Sequence, residues 1–296
     1  MPAIRADRES SAPVDGGELA YGEWNPAAPG PAVLAVHGIT ATHRAWPVLA
    51  RHLPGTRILA PDLRGRGRSA DLPAPYGLRQ HARDLAALLD HAGLDRVVVV
   101  GHSMGAFVSV RFAAAHPDRV ASLVLVDGGV PLAVPEGVSP EDLPRVTLGP
   151  ALERLSQAFP SREAYRDFWR AHPALGPYWS EAVAGYVDYD LVESDGALRP
   201  SPNPEAVAQS ARELGGQDGY PDDLAALRMR VDVLRAPRGL LDADPLYAPG
   251  VLDAAVAALP DAALHEVEDV NHYTIVMSDR GAEEVAAVVR TQLAAA

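Results

Sequence analysis

The chain of 296 residues contains no cysteine. Disulfides, zinc–thiolate sites and a cysteine nucleophile are therefore excluded, and no redox compartment is indicated. Lysine is absent too, so all 26 basic residues are arginine. With the heavy use of Ala, Pro and Gly, this points to a GC-rich coding bias, a property of the genome and not of the function. Positive charge is scarce overall: the net charge is −13 and the isoelectric point near 5.1. That argues against nucleic acid and anionic membranes as partners and leaves a small-molecule substrate as the expected one. No run approaches 18 apolar residues, so no membrane span is expected. The first ten residues, Met1 to Ser10, are charged and lack an apolar core, so no signal peptide is expected and the default location is cytoplasmic.

What is present centres on residues 94–108. Val97 to Val100 are four β-branched residues in a row. A run without alternation reads as a strand buried on both faces of a parallel sheet. Gly101-His102-Ser103-Met104-Gly105 follows, then an apolar segment from Ala106 long enough for a helix. Strand, Gly-x-Ser-x-Gly and helix in that order give the five-residue match its meaning. A serine hydroxyl attacks only when a base takes its proton and its oxygen stands clear, and a sharp strand-to-helix turn achieves the second. The two glycines allow the tight backbone and close helix packing. The amide of Met104 falls at a helix N-terminus, where it can face a developing oxyanion.

Other segments repeat the alternation of buried strand and helix. Ala32–Val36, Arg57–Ala60, Ser122–Val126, Arg228–Leu234 and Ala263–Val267 read as strands. The segments 45–53, 76–92, 251–259 and 281–293 read as helices, the second closed by Gly93. This rhythm means parallel βαβ units, so the fold class is α/β, a mostly parallel twisted sheet flanked by helices. Residues 1–13 read as a loose arm or an edge strand, Asp15-Gly16-Gly17 as a turn, and Glu18–Trp24 as an antiparallel edge strand. The rhythm breaks at Val130. Prolines 131, 135, 140 and 144, with Glu136, Glu141 and Asp142, mark a linker. A helix-like region without buried strands then runs to about Gly219. Phe159, Tyr165, Phe168, Trp169, Tyr178, Trp179, Tyr186 and Tyr189 crowd into it. Some would form its own core and others a pocket, with Trp169 and Trp179 as pocket candidates. The tract Arg64-Gly-Arg-Gly-Arg68 could suggest RNA binding in isolation. In an acidic chain it reads as a tight turn whose arginines form ion pairs.

The elbow around Ser103 resembles that of the α/β-hydrolase superfamily in its serine esterase or lipase form. Upstream, His37-Gly38-Ile39 is similar to the family's oxyanion loop, and residues 62–69 to its D-x-R-G-x-G-x-S loop. The resemblance implies a core domain from residues 1–130 and 226–296, with a helical cap, 131–225, inserted after the sixth strand. It implies Ile39 as second oxyanion donor beside Met104, and His37 as a prop for that loop. It also implies the order Ser, acid, His. His272, in the loop after the last strand, stands where the family carries its catalytic base. The acid is implied at Asp242, in Gly239-Leu-Leu-Asp242, with Asp244 and Asp127 as alternatives. His102 is expected only to pack. The expected activity is a serine hydrolase acting on a small or medium apolar carboxylic ester through an acyl-enzyme, without metal or organic cofactor. A C–C bond or lactone hydrolase, or a binding protein with little turnover, are the alternatives.

Overall fold

A computed structural model describes residues 5–134, 137–139, 142, 148–194 and 196–296. Eight strands form one sheet: β1 (Arg8–Val14), β2 (Gly17–Trp24), β3 (Ala32–Val36), β4 (Ile58–Pro61), β5 (Val97–His102), β6 (Val120–Val126), then β9 (Arg230–Arg235) and β10 (Ala262–Glu266). Their spatial order is β1-β2-β4-β3-β5-β6-β9-β10. β1 and β2 pair antiparallel at one edge, β2 meets β4 antiparallel, and the pairings from β4 to β10 are parallel. The fully buried runs in β3, β4 and β5 lie in mid-sheet with both faces covered, as their unbroken apolar pattern requires.

Helices α1 (Pro47–His52), α2 (Leu78–Ala92) and α3 (Met104–Ala115) connect the first half of the sheet. Gly93 closes α2 with φ +64°, the left-handed conformation that a glycine adopts without Cβ strain. Chain order reverses between β3 and β5: β3 leads outward to β4, and the chain returns through α2 to β5 on the other side. Loops leaving the C-terminal ends of two such strands diverge and open a crevice, the general ligand site of open α/β sheets. Here those are the loops that carry Gly38 and Ser103.

Between β6 and β9 lie α4 (Pro150–Arg154), α5 (Arg162–Arg170), α6 (Glu181–Asp190), the hairpin β7 (Leu191–Ser194) and β8 (Ala197–Pro200), α7 (Pro204–Arg212) and α8 (Tyr220–Ala225). The small antiparallel hairpin was not legible as strands because it is short and half-exposed. Prolines 135, 140 and 144 of the expected linker, with Glu136 and Glu141, lie outside the described residues. Past β9 come α9 (Val251–Ala257), α10 (Thr274–Met277) and α11 (Asp279–Ala295). Among the described residues no helix is long and apolar enough to cross a membrane.

The elbow depends on backbone proximity. A Cβ on Gly105 would come 2.0 Å from the carbonyl oxygen of Val36, and one on Gly101 2.5 Å from the carbonyl oxygen of Gly105. Helix α3 thus rests directly on the end of β3. Gly105→Ala is expected to destabilise the fold by about 1–3 kcal/mol, the usual cost of overpacking where the obstacle is backbone. Urea unfolding measures it, and a midpoint equal to wild type would show that the helix can shift freely.

Candidate active site

Ser103 is held at φ +54°, ψ −125°, between the end of β5 and the first turn of α3. Few non-glycine residues sit there, and the surroundings must hold it in place. Its own amide donates to the carbonyl of Val126 (2.9 Å). A Cβ on Gly128 would come 2.3 Å from the carbonyl oxygen of Ser103, so the chain after β6 passes directly against the elbow. Gly38 faces Ser103 from the other side, its notional Cβ 3.2 Å from the serine Cβ and 3.6 Å from Oγ.

The loop after β3 is fixed by His37. The amide of Leu63 donates to His37 Nε2 (2.9 Å), so the proton is on Nδ1, which donates to the carbonyl of Gly38 (2.7 Å). In a trans peptide, C=O and N–H point opposite ways, so this turns the amide of Ile39 away from His37. Arg66 secures the next carbonyl: its Nε donates to Ile39 O (2.9 Å). The same guanidinium reaches Arg64 O, Ser210 Oγ and Ala206 O, the last two on α7, and its Nη2 lies 3.8 Å from Met104 Sδ. The arginine tract therefore differs from a set of ion pairs. Arg64 does pair with buried Asp84 (2.8 Å), but Arg66 binds carbonyls and a hydroxyl, and Arg68 stacks 4.5 Å from the ring centre of Tyr189. Burial pushes Arg66 down to about 9, leaving it charged at neutral pH. Asp62 anchors the same loop, accepting from the amides of His43 (2.8 Å) and Arg68 (2.9 Å), from His43 Nδ1, and from the hydroxyl of Tyr189 on α6 (2.7 Å).

His272 lies buried in the loop after β10. Its Nδ1–H donates to Asp127 Oδ2 at 2.6 Å, leaving Nε2 for the cavity that His272 and Ser103 both line. Asp127 is fully buried at φ +44°, its amide donates to Leu234 O (2.7 Å), and its other oxygen accepts from the amide of Ala236 (3.3 Å). The expectation that Asp242 orients the histidine is therefore corrected. Asp242 Oδ1 accepts instead from Arg238 Nε (2.8 Å) and Asn271 Nδ2 (2.8 Å), and it is partly exposed. The physical reason is alternation. Asn271 forms a bridge with Arg238 across the β9–β10 seam, so its side chain faces the Asp242 loop, and the next residue, His272, turns toward β6. Asp244 is exposed, and its carbonyl lies against Gly239 in the turn of the loop.

His102 is a second correction. Its Nε2 donates to the backbone carbonyl of His272 (2.7 Å) and the two rings lie 4.8 Å apart, so it fixes the histidine loop and does not merely pack. Only its place beside Ser103 could have signalled this. The two tryptophans are a third. Trp169 is buried among Tyr165, Phe168, Tyr186 and Arg154, and Trp179 covers Arg170; neither lines the cavity. The side chains that do line it from the insert include His172, Tyr186 and Leu214, with Tyr273 beside His272. The cavity has about 1160 Å³ of empty space including its open mouth. Ile39, Met104, Phe107, Leu132, Leu148 and Leu240 are among its apolar walls, and no Asp, Glu or Arg lines it among the described residues.

A model of the alpha/beta hydrolase fold matches residues 31–277. The chain is 50% identical over 112 residues to lipase LipV of Mycobacterium tuberculosis, covering 38% of this chain and 41% of that protein. Over 167 residues it is 32% identical to epoxide hydrolase B of the same species, covering 53% and 45%. Each of these matches spans less than half of the relative's length. Among solved structures, E-2-(acetamidomethylene)succinate hydrolase superposes with a TM-score of 0.73 at 26% identity, covering 96% of this chain and 98% of that one.

Three histidines of this region are held neutral by burial. His37 is pushed down to about 4, and His81 and His102 lie well below the ordinary value of 6.5, with burial as the leading cause for each. Below pH 6.5 the unfolded chain takes up these protons and the folded chain does not. Stability is therefore expected to fall as pH drops from 6.5 toward 4, by roughly 1.4 kcal/mol per histidine per pH unit. His43 is shifted upward on balance because its contacts with Asp62 and Glu9 outweigh burial, so it offsets part of the loss near pH 6.5 and adds nothing further once the unfolded chain is protonated there too. Urea unfolding between pH 7 and pH 5 tests this, and a flat profile would overturn it.

Proposed function

The chain belongs to the α/β-hydrolase family, and from that premise we propose that it is a hydrolase that cleaves a carboxylic ester of small or medium apolar substrates through an acyl-enzyme on Ser103. The observation that carries the reading is the Asp127–His272 pair, 2.6 Å apart, in the wall of the cavity that Ser103 also lines. His272 Nε2 takes the proton of Ser103 Oγ as that oxygen attacks the acyl carbon. Asp127 holds the tautomer and stabilises the imidazolium. The amides of Ile39 and Met104 receive the oxyanion; Met104 is the first helical residue and has no carbonyl one turn back to bond. His272 then gives its proton to the leaving alkoxide, the acyl–oxygen bond breaks, and water repeats the sequence to release the acid.

A serine in the elbow favours acyl over alkyl chemistry. Opening an epoxide with Ser103 Oγ would leave an ether on the enzyme, and water cannot release an ether as it releases an ester. The likeness to an epoxide hydrolase is therefore read as likeness of fold. The cavity walls, uncharged among the described residues, favour a neutral apolar acyl group. The insert, residues 131–225, is read as a cap that shapes substrate choice, since it supplies His172, Tyr186 and Leu214 to the cavity.

A fluorophosphonate probe should label Ser103 in the wild-type protein and fail to label Ser103→Ala. Asp127→Asn should lower kcat on a short-chain ester by on the order of 10⁴-fold, the scale for losing the orienting acid of a triad. Asp242→Asn should retain most activity. If Asp242→Asn were the crippled variant and Asp127→Asn active, the assignment from geometry would be wrong.

A further inference from the structure

The cavity has one wall unlike the others. His172, in the loop after α5, Tyr186, on α6, and Tyr273, next to His272, come from three separate elements and bring polar tips into an otherwise apolar space. Their rings are in sequence: His172 lies 5.6 Å from Tyr273, and Tyr273 lies 5.6 Å from His272. Trp169 backs them, 5.4 Å from His172 and 6.3 Å from Tyr186. Among the described residues, Tyr186 Oη, Tyr273 Oη and His172 Nε2 make no hydrogen bond to the protein, although Tyr186 is almost wholly buried.

Each tip is a donor. The amide of Ala174 donates to His172 Nδ1 (3.3 Å), so the proton of the neutral ring is on Nε2. Burial, and then the nearby positive charge of Arg154, keep His172 below its ordinary value and hence neutral. Burial holds the two phenols protonated: Tyr273 is pushed up to about 12, and Tyr186 is raised further. Arg154 stands behind this wall, 4.9 Å over Trp169, already paired with Asp190 at 2.7 Å. Arg154 does not itself line the cavity, and the three donors that do are neutral, which suits an uncharged acceptor.

From this arrangement we infer that His172, Tyr186 and Tyr273 form a subsite for an uncharged hydrogen-bond acceptor oxygen on the alcohol portion of the substrate. The inference rests on the serine-ester reading. The side follows from the chemistry: His272 protonates the leaving oxygen, so the alcohol passes on the His272 side, where Tyr273 adjoins it. The apolar walls at Phe107, Leu132 and Leu148 are left for the acyl chain. The substrate class is therefore an ester of an apolar acid with an alcohol that carries an ether or carbonyl oxygen a few bonds beyond the ester.

Two isosteric pairs test this with the intact protein. Methoxyethyl butyrate and butyl butyrate differ by an oxygen for a methylene in the alcohol; butyl methoxypropanoate and butyl pentanoate differ so in the acid. Each kcat/KM is divided by the ester's hydroxide-catalysed rate, which removes differences in leaving-group ability. Wild type should prefer the oxygen in the alcohol by roughly tenfold, about the worth of one hydrogen bond, and show no such preference in the acid. His172→Leu, Tyr186→Phe and Tyr273→Phe should each reduce the preference, and His172→Gln, which keeps a donor, should restore part of it. Three variants on separate elements leave the test intact if one fails to fold. Equal rates for the first pair, a preference unchanged in the three variants, or a larger preference in the second pair would overturn the subsite while leaving ester hydrolysis standing. Failure of Ser103 to take the phosphonate, with no ester cleaved, would instead sink the serine-ester reading and the subsite with it.

Discussion

The site depends on a single backbone constraint, the positive φ of Ser103. A serine does not hold φ +54° unaided; the conformation costs of order 1–3 kcal/mol and persists only where neighbours over-determine it. The neighbours here are main chain. Gly105, at the start of α3, and Gly128, after β6, bring main chain so close that no side chain fits between, and Gly38, after β3, packs tightly against Ser103 Cβ. The elbow is thus gripped by the ends of three adjacent strands. The same closeness places the Ile39 loop, the serine and Asp127 within one small volume. The geometry that strains Ser103 also gathers these segments around it.

A second layer of order comes from buried charges satisfied mainly by backbone. Asp62 gathers two amides, an imidazole and a phenol, and Arg66 gathers three carbonyls and a hydroxyl. Each links the core to the inserted region, Asp62 through Tyr189 and Arg66 through α7. Burying a charge is costly unless its hydrogen bonds are complete. Removing either group would therefore leave several buried polar atoms unmatched and loosen the seating of the insert and the Ile39 loop together.

Much of this was legible in the sequence. The four-valine strand, the Gly-x-Ser-x-Gly turn and the apolar helix identified the elbow, because each of those signals is local. The sheet core was legible for the same reason. Three things were not. The hairpin β7–β8 has too few buried residues to leave a pattern. The roles of Trp169 and Trp179 depend on which face of a short helix or turn looks inward, and aromatic density alone does not decide that. The partner of His272 depends on which of two adjacent residues turns toward β6, a matter of register that no motif encodes.

That last point explains why a Gly-x-x-Asp match misled. Asp242 is placed as the resemblance implies, in the loop after β9, yet its carboxylate is occupied by Arg238, four residues earlier, and by Asn271. Asn271 also donates to Ala174 O in the insert (3.0 Å), and Arg238 Nη2 donates to the hydroxyl of Tyr178, also in the insert (3.0 Å). Asp242 therefore serves as a brace, tying the residue before His272 and the loop after α5 to one another. Among the described residues Asp127 has no such competing cation; its hydrogen bonds are to two backbone groups and the imidazole. An orienting acid must keep its charge for the imidazolium, and a carboxylate already committed to an arginine offers less of it. Of the two aspartates, the one without an arginine beside it is the one the histidine faces.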